Sequence, residues 1–320
     1  MKPAVVVIIR VDILLLVVSA IIAGGCSSSS TAKDGRKVVG VLLADTSDQF
    51  QVYLMDGMKE VAEQDGAIEA VYMDGKYDAG RQLQQAENLI AQNVAALVLM
   101  AVDTVAARPI LEAAGDAGIP VVLVNRRLPD QDQAVAYVGS EDVLAGQIEM
   151  TAVAQALGGK GRIVVLEGTY GHEPQIQRKT GYDLVLQKYP DIEIVASNSG
   201  KWYRNEAMAI MENWLQANLS INAVVAQNDE MALGALKAIE DAGRLGDILV
   251  AGIDATPEAL KYVKQGKLDL TVFQDAKAQG RTSIQVACDV ALGKTVKTEY
   301  LIPFELVTPD KVAEYESRYR

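Results

Sequence analysis

KVVGVLLA, residues 37–44, decides how the rest of the chain is read. It is a β-branched apolar run of strand length, and the apolar positions of residues 50–65 then recur with a helical period. The alternation continues with strands predicted at 68–74, 96–101 and 119–125 and helices at 79–93 and 105–117. It restarts at 162–167, with further strands at 192–197, 223–227, 248–253 and 270–273. Helices at 175–188, 204–218, 231–242 and 257–265 separate them. Near-continuous apolar strands bracketed by amphipathic helices predict parallel sheets covered on both faces. The rhythm gives an α/β chain of two doubly wound units, 37–139 and 140–274. A last helix over 275–293 and the tail IPFELVTPD (302–310) are too little for a third unit. They are expected to complete the first two, residues 275–302 joining the first and 303–320 the second.

Composition narrows the function. The chain has 320 residues, a net charge of −12, one histidine and two cysteines. That length suggests two domains, and the acidic balance argues against a nonspecific grip on nucleic acid, which needs Lys and Arg at the phosphates. Two cysteines make no disulfide framework, and with one histidine they make no usual structural zinc site. No metal or cofactor is expected, so function must rest on carboxylates, amides, arginines and aromatics.

The first 26 residues read separately. Lys2 and Arg10 give a basic start, 13–23 an apolar run, and Ala23-Gly24-Gly25 a small-residue approach to Cys26. This is the pattern of a secretory signal peptide, and residues 13–25 fall short of the roughly 20 needed to span a bilayer. Cys26, followed by Ser27 to Ser30, resembles the bacterial lipobox, although Asp12 interrupts the apolar stretch and Ala23 stands where leucine is commonest. The expectation is a signal peptide over 1–25, an acylated Cys26, a flexible tether over 26–36, and export to the outer face of the cytoplasmic membrane or the periplasm. Cys288, in the apolar-periodic run 279–291, reads as a core thiol.

In open α/β sheets ligands sit beyond the carboxyl ends of strands. Those ends carry Asp45, Asp48, Phe50 and Gln51, then Asn125, Arg126 and Arg127 in the first unit. The second unit offers Tyr170, His172 and Arg178, then Trp202 and Arg204, Asn228 and Asp229, Asp254, Gln274 and Asp275. Carboxylates accept from hydroxyls, amides accept and donate, guanidiniums donate in a fixed fork, and aromatics stack on the apolar faces of a sugar-like ring. Each residue also has a plainer reading: Asp and Asn after strands cap helices, Phe50 can begin a core face, and a lone His172 can be structural. The agreement of many strand ends favours a site for a small neutral polyhydroxyl ring.

Catalytic and phosphate motifs fail. Gly293-Lys294-Thr295 imitates the end of a P-loop, but Cys288 stands where the earlier glycine is required. There is no Gly-x-Ser-x-Gly elbow, and Asp130-x-Asp132 lacks the glycine and glutamate of a calcium loop. An enzyme is not expected.

Three blocks in order, AVVAQNDEMALGALKAI (223–239), AGIDATPEAL (251–260) and TVFQDAKAQG (271–280), resemble the bacterial periplasmic sugar-binding proteins of the ribose and galactose type. The resemblance runs over essentially the whole chain beyond the signal peptide. It implies two Rossmann-like domains joined by a three-crossing hinge, the type I periplasmic binding protein fold, with ligand enclosed between them. It also implies an ABC permease with its ATPase as partner, a chemoreceptor or sensor kinase as the alternative, and a monomer. Carried over by position, Asp48 and Phe50 match an acidic or amide contact and a stacking aromatic, and Asn125 and Arg126 match contacts after the fourth strand. His172, Arg178 and Trp202 look like residues of the galactose branch, and Asn228, Asp254 and Gln274 match contacts shared in kind by both branches. Gln51 replaces an aromatic of ribose binders, Pro174 an acidic contact of galactose binders, and the galactose branch's calcium loop is absent. VNRRLPD (124–130), MENWLQA (211–217) and IPFELVTPD are most similar to rhizopine and myo-inositol-binding members. The resemblance therefore ranks a cyclitol first, galactose or glucose second and ribose third.

Overall fold

The computed structural model describes residues 35–319, so Cys26 and the signal peptide lie outside the described residues. The first domain opens with β1 (Lys37–Leu43), α1 (Gln49–Gln64), β2 (Ile68–Asp74), α2 (Ala79–Ala91) and β3 (Ala96–Leu99). It continues with α3 (Arg108–Asp116), β4 (Val121–Val124) and β5 (Ala136–Gly139). The second runs through α4 (Asp142–Ala156), β6 (Lys160–Glu167), α5 (Glu173–Leu186), β7 (Asp191–Ser199) and α6 (Arg204–Gln216). Then come β8 (Ala223–Ala226), α7 (Asp229–Asp241), β9 (Leu249–Asp254), α8 (Pro257–Lys264) and β10 (Leu270–Gln274). The chain ends in α9 (Ala276–Ala291), β11 (Glu299–Leu301), β12 (Phe304–Val307) and α10 (Val312–Arg318).

Two six-stranded sheets result, ordered β2-β1-β3-β4-β5-β11 and β7-β6-β8-β9-β10-β12. Pairing is parallel except for β10 with β12. Short runs such as ALVL, VVLV and AVVA hold their places because every residue is buried, which suits β-branched chains on two covered faces. Each sheet carries apolar clusters on both of its faces. The chain passes between the sheets three times: after β5, after β10 and between β11 and β12. The α9 helix packs on α1 in the first domain, and α10 on α8 in the second.

The periodicity argument assigns no element between 126 and 161, where β5 and α4 lie. The β5 strand, AYVG, has a single β-branched residue. The α4 helix lies between α5 and the second sheet, and its polar residues fall on opposite sides, Asp142 and Glu149 against Gln147, Thr151 and Gln155, so no single stripe marks it as a helix. Cys288 is wholly buried in α9, and burial pushes its thiol up to about 12.

Candidate functional site

The carboxyl ends of both sheets face one cavity. Asp48, Phe50, Met100, Asn125 and Arg126 line it from the first domain, and Pro174, Arg178, Trp202, Asn228 and Asp254 from the second. Gln274 lines it from the end of β10, beside a crossing. Nine of the eleven residues anticipated from the sequence are thus gathered around one space, together with Met100 and Pro174. Met100 follows β3 directly and obeys the strand-end rule; it escapes notice only because the strand is expected to run to 101.

Gln51 and His172 are not on the cavity wall. Gln51 is fully buried beneath it: Oε1 accepts from the N–H groups of Ala44 (3.0 Å) and Asp45 (2.9 Å), and Nε2 donates to Asp48 Oδ2 (3.3 Å). Its side chain therefore fixes the loop that carries Asp48. His172 stands behind Trp202, whose Nε1 donates to His172 Nδ1 at 3.1 Å. Burial, then the Arg126 guanidinium, pushes the imidazole down to about 3, so it is neutral and can accept that bond. The other strand-end candidates are engaged elsewhere. Arg127 pairs with Glu141 and Glu299, Arg204 with Glu230 and Glu258, Asp275 caps α9, and Tyr170 is exposed.

Several wall residues cap helices as well as line the cavity. Asp48 accepts from the N–H of Phe50, and Asn228 from that of Met231. The capping and binding readings are compatible because the cap places the side chain at a strand end, where the cavity lies. Burial raises the Asp48 carboxyl to about 6, opposed by its bonds from Gln51 and Phe50.

Both guanidiniums are held fast. Arg126 donates to the carbonyls of Ala101 (2.7 Å) and Val102 (3.1 Å) and to the Tyr77 hydroxyl (3.3 Å). Arg178, 3% exposed, donates to Asp142 Oδ1 (2.8 Å), the Gln227 carbonyl and Gln274 Oε1 (3.0 Å). Each uses three of the five N–H groups of a guanidinium, so donors remain for a guest. Helix α5 can carry Arg178 so close to α4 because α4 presents Gly146: a Cβ there would lie 2.1 Å from the Arg178 carbonyl oxygen. Gly168 does the same for Trp202, where a Cβ would meet the indole at 2.0 Å.

On the cavity wall, two polar groups have no hydrogen-bond partner among the described residues. The buried Nε2 of Gln274 donates to nothing. Among the described residues no hydrogen bond ends on the Asp254 carboxylate. Burial, then the neighbouring Asp229, raises that carboxyl well above its usual range, with Arg178 pulling it back. Its backbone has φ +126°, a conformation L residues rarely adopt, and Trp202 (+73°) and Asn125 (+65°) are also left-handed. Unusual backbone at three wall positions is what a preorganised ligand site holds in place.

Two matching α/β halves with a polar, aromatic-walled cavity between them define a solute-binding clamp. Residues 39–295 match the profile described as a periplasmic binding protein domain, and the chain belongs to that family. It is 36% identical over 288 residues to a Rhizobium meliloti protein named for rhizopine binding, covering 88% of this chain and 93% of that one. It is 37% identical over 284 residues to the xylitol-binding protein of Mycolicibacterium smegmatis, covering 88% and 80%. An ABC transporter solute-binding protein from Bacillus halodurans C-125, solved with bound myo-inositol, aligns with a TM-score of 0.87 and 46% identity, covering 90% of this chain and 100% of that one. The chain is an extracytoplasmic solute-binding protein of the ABC-importer type, for small sugars or polyols.

Proposed function

We propose that the cavity takes a cyclic polyol, with a myo-inositol-like cyclitol ahead of galactose or glucose and ribose third. The observation that carries this is a wall that holds two guanidiniums, Arg126 and Arg178, two carboxyls, Asp48 and Asp254, and the amides Asn125, Asn228 and Gln274, beside the rings of Phe50 and Trp202. Donors and acceptors together suit the hydroxyls of a guest, and the rings suit its C–H faces. The myo-inositol bound to the Bacillus halodurans neighbour supports the same ranking. Ligand would bind one domain and draw the other over it, because only the closed form engages Asp48, Asn125, Arg178 and Asp254 together. The guest leaves unchanged to the permease. Acylated Cys26 keeps the clamp, a monomer, beside that permease.

A thermal-shift panel on the chain from Lys33 onward, with myo-inositol, scyllo-inositol, galactose, glucose, ribose and xylose, tests this. Tight binding raises the melting temperature by mass action, and myo-inositol should give the largest rise. A larger rise with galactose or ribose reverses the ranking, and no rise with any compound sinks the neutral-polyol reading.

A further inference from the structure

We infer that Tyr77, in the turn between β2 and α2, is a positioning residue that ties Arg126 to closure of the second domain and thereby slows ligand escape; this rests on the binding function proposed above. Tyr77 packs against the apolar clusters of both domains. The turn is held in a left-handed conformation, φ +51°, and the Tyr77 N–H donates to the Ala44 carbonyl at 2.9 Å, beneath the loop that leads to Asp48. On one side its hydroxyl accepts from Arg126 Nη2, with the guanidinium 5.6 Å from the ring centroid. On the other its ring lies 6.1 Å from that of His172 at 28°, and 6.0 Å from that of Tyr203 at 83°.

The contacts form a continuous path. Arg126 lines the cavity in the first domain; Tyr77 touches it; His172 faces Tyr77 across the cleft; Trp202, hydrogen-bonded to His172, lines the cavity in the second. The Tyr203 hydroxyl donates to Asp45 Oδ2 at 3.0 Å and closes the same seam. Opening the clamp must part Tyr77 from both rings and Tyr203 from Asp45. None of these contacts needs to form before a ligand meets an open domain. Their loss should therefore speed departure and leave arrival unchanged.

The test is stopped-flow binding of myo-inositol to the chain from Lys33 onward. Tyr77→Ala should raise koff about tenfold with kon within about twofold, since related interfaces vary chiefly in dissociation. Tyr77→Phe keeps the rings and loses the Arg126 bond, so it should fall between, at about threefold. The melting temperature of the ligand-free protein separates this from damage to the fold, and Tyr203→Phe, about threefold in koff, replaces Tyr77→Ala should that variant not fold. A koff within twofold of wild type, or a loss carried by kon, overturns the proposal. Should the wild-type chain bind no probe of the panel, the binding reading fails on its own. The seam is then read from ligand-free protein spin-labelled at Glu87→Cys and Lys179→Cys, one exposed position on each domain. Tyr77→Ala must deplete the short-distance population there; an unchanged distance distribution overturns the proposal.

Discussion

The two domains share a strand order and offer five wall residues each, but they hold those residues by different means. In the first, the main chain does most of the holding. Arg126 rests on the Ala101 and Val102 carbonyls, and Asp48 on the Phe50 N–H, with Gln51 bridging the loop beneath. In the second, a buried ion pair does it: Arg178 is set between Asp142, the Gln227 carbonyl and Gln274, and Asp254 meets no donor among the described residues. A buried polar group without a partner is costly, and a guest's hydroxyl removes that cost. The first domain's wall residues are therefore each bonded within the protein, with Arg126 keeping donors for a guest, while the second carries a carboxyl that only ligand completes.

The comparison is most easily broken at Arg178. Replacing it by Ala leaves Asp142 buried without its cation, and should cost about 3–5 kcal/mol of stability in urea unfolding as well as binding. Arg126→Ala should cost less stability, about 1–3 kcal/mol, because only neutral acceptors, two carbonyls and the Tyr77 hydroxyl, lose a donor. Equal losses would erase the contrast between the halves.

Asp254→Asn should weaken ligand binding by about 1.5–3 kcal/mol, roughly ten- to a hundredfold. Its ligand-free melting temperature should stay level or rise, because burial already opposes the charge. Gln51→Ala should behave in the opposite sense. It leaves the N–H groups of Ala44 and Asp45 without their acceptor, so stability should fall by about 1–3 kcal/mol while affinity changes less than in Asp254→Asn. Unfolding and titration of the same two variants check both halves of that statement.

A further effect is with pH. Burial raises Glu149 and Glu173 to about 8 and Asp229 to about 7, against 4.5 and 3.8 for free groups. A carboxyl whose folded pKa is raised binds protons more tightly when folded, so its stabilising contribution grows as pH falls through the folded value. His172 acts in the other direction, but only below its unfolded value of 6.5. Melting temperature should therefore rise between pH 8.5 and 6.5, and Glu149→Gln should flatten the slope.

Much of this was legible in the residues. Apolar runs of β-branched residues locate most of the strands, and the strand-end rule leads to Asp48, Phe50, Asn125, Arg126, Arg178, Trp202, Asn228, Asp254 and Gln274 at one cavity. Gln51 shows where the rule stops: adjacent helical residues point about 100° apart, so Phe50 meets the cavity while Gln51 turns under the strand ends. His172 yields its place on the wall to Trp202, which sequence spacing could not decide. Asp142, the partner of Arg178, was hidden because the polar residues of α4 lie on opposite sides and leave no single stripe. Tyr77 sits just past the carboxyl end of β2 and meets the strand-end rule, but its importance comes only from the domain opposite, which sequence spacing does not show.

The central claim is that one ring-shaped polyol is enclosed by both domains and completes the polarity of the second. Calorimetric titration of myo-inositol into the wild-type chain and Asp254→Asn tests it most directly. The account predicts one site with micromolar or tighter affinity, about −8 kcal/mol, weakened at least about tenfold in a variant that melts no lower than wild type. Binding of equal strength in both proteins would contradict it.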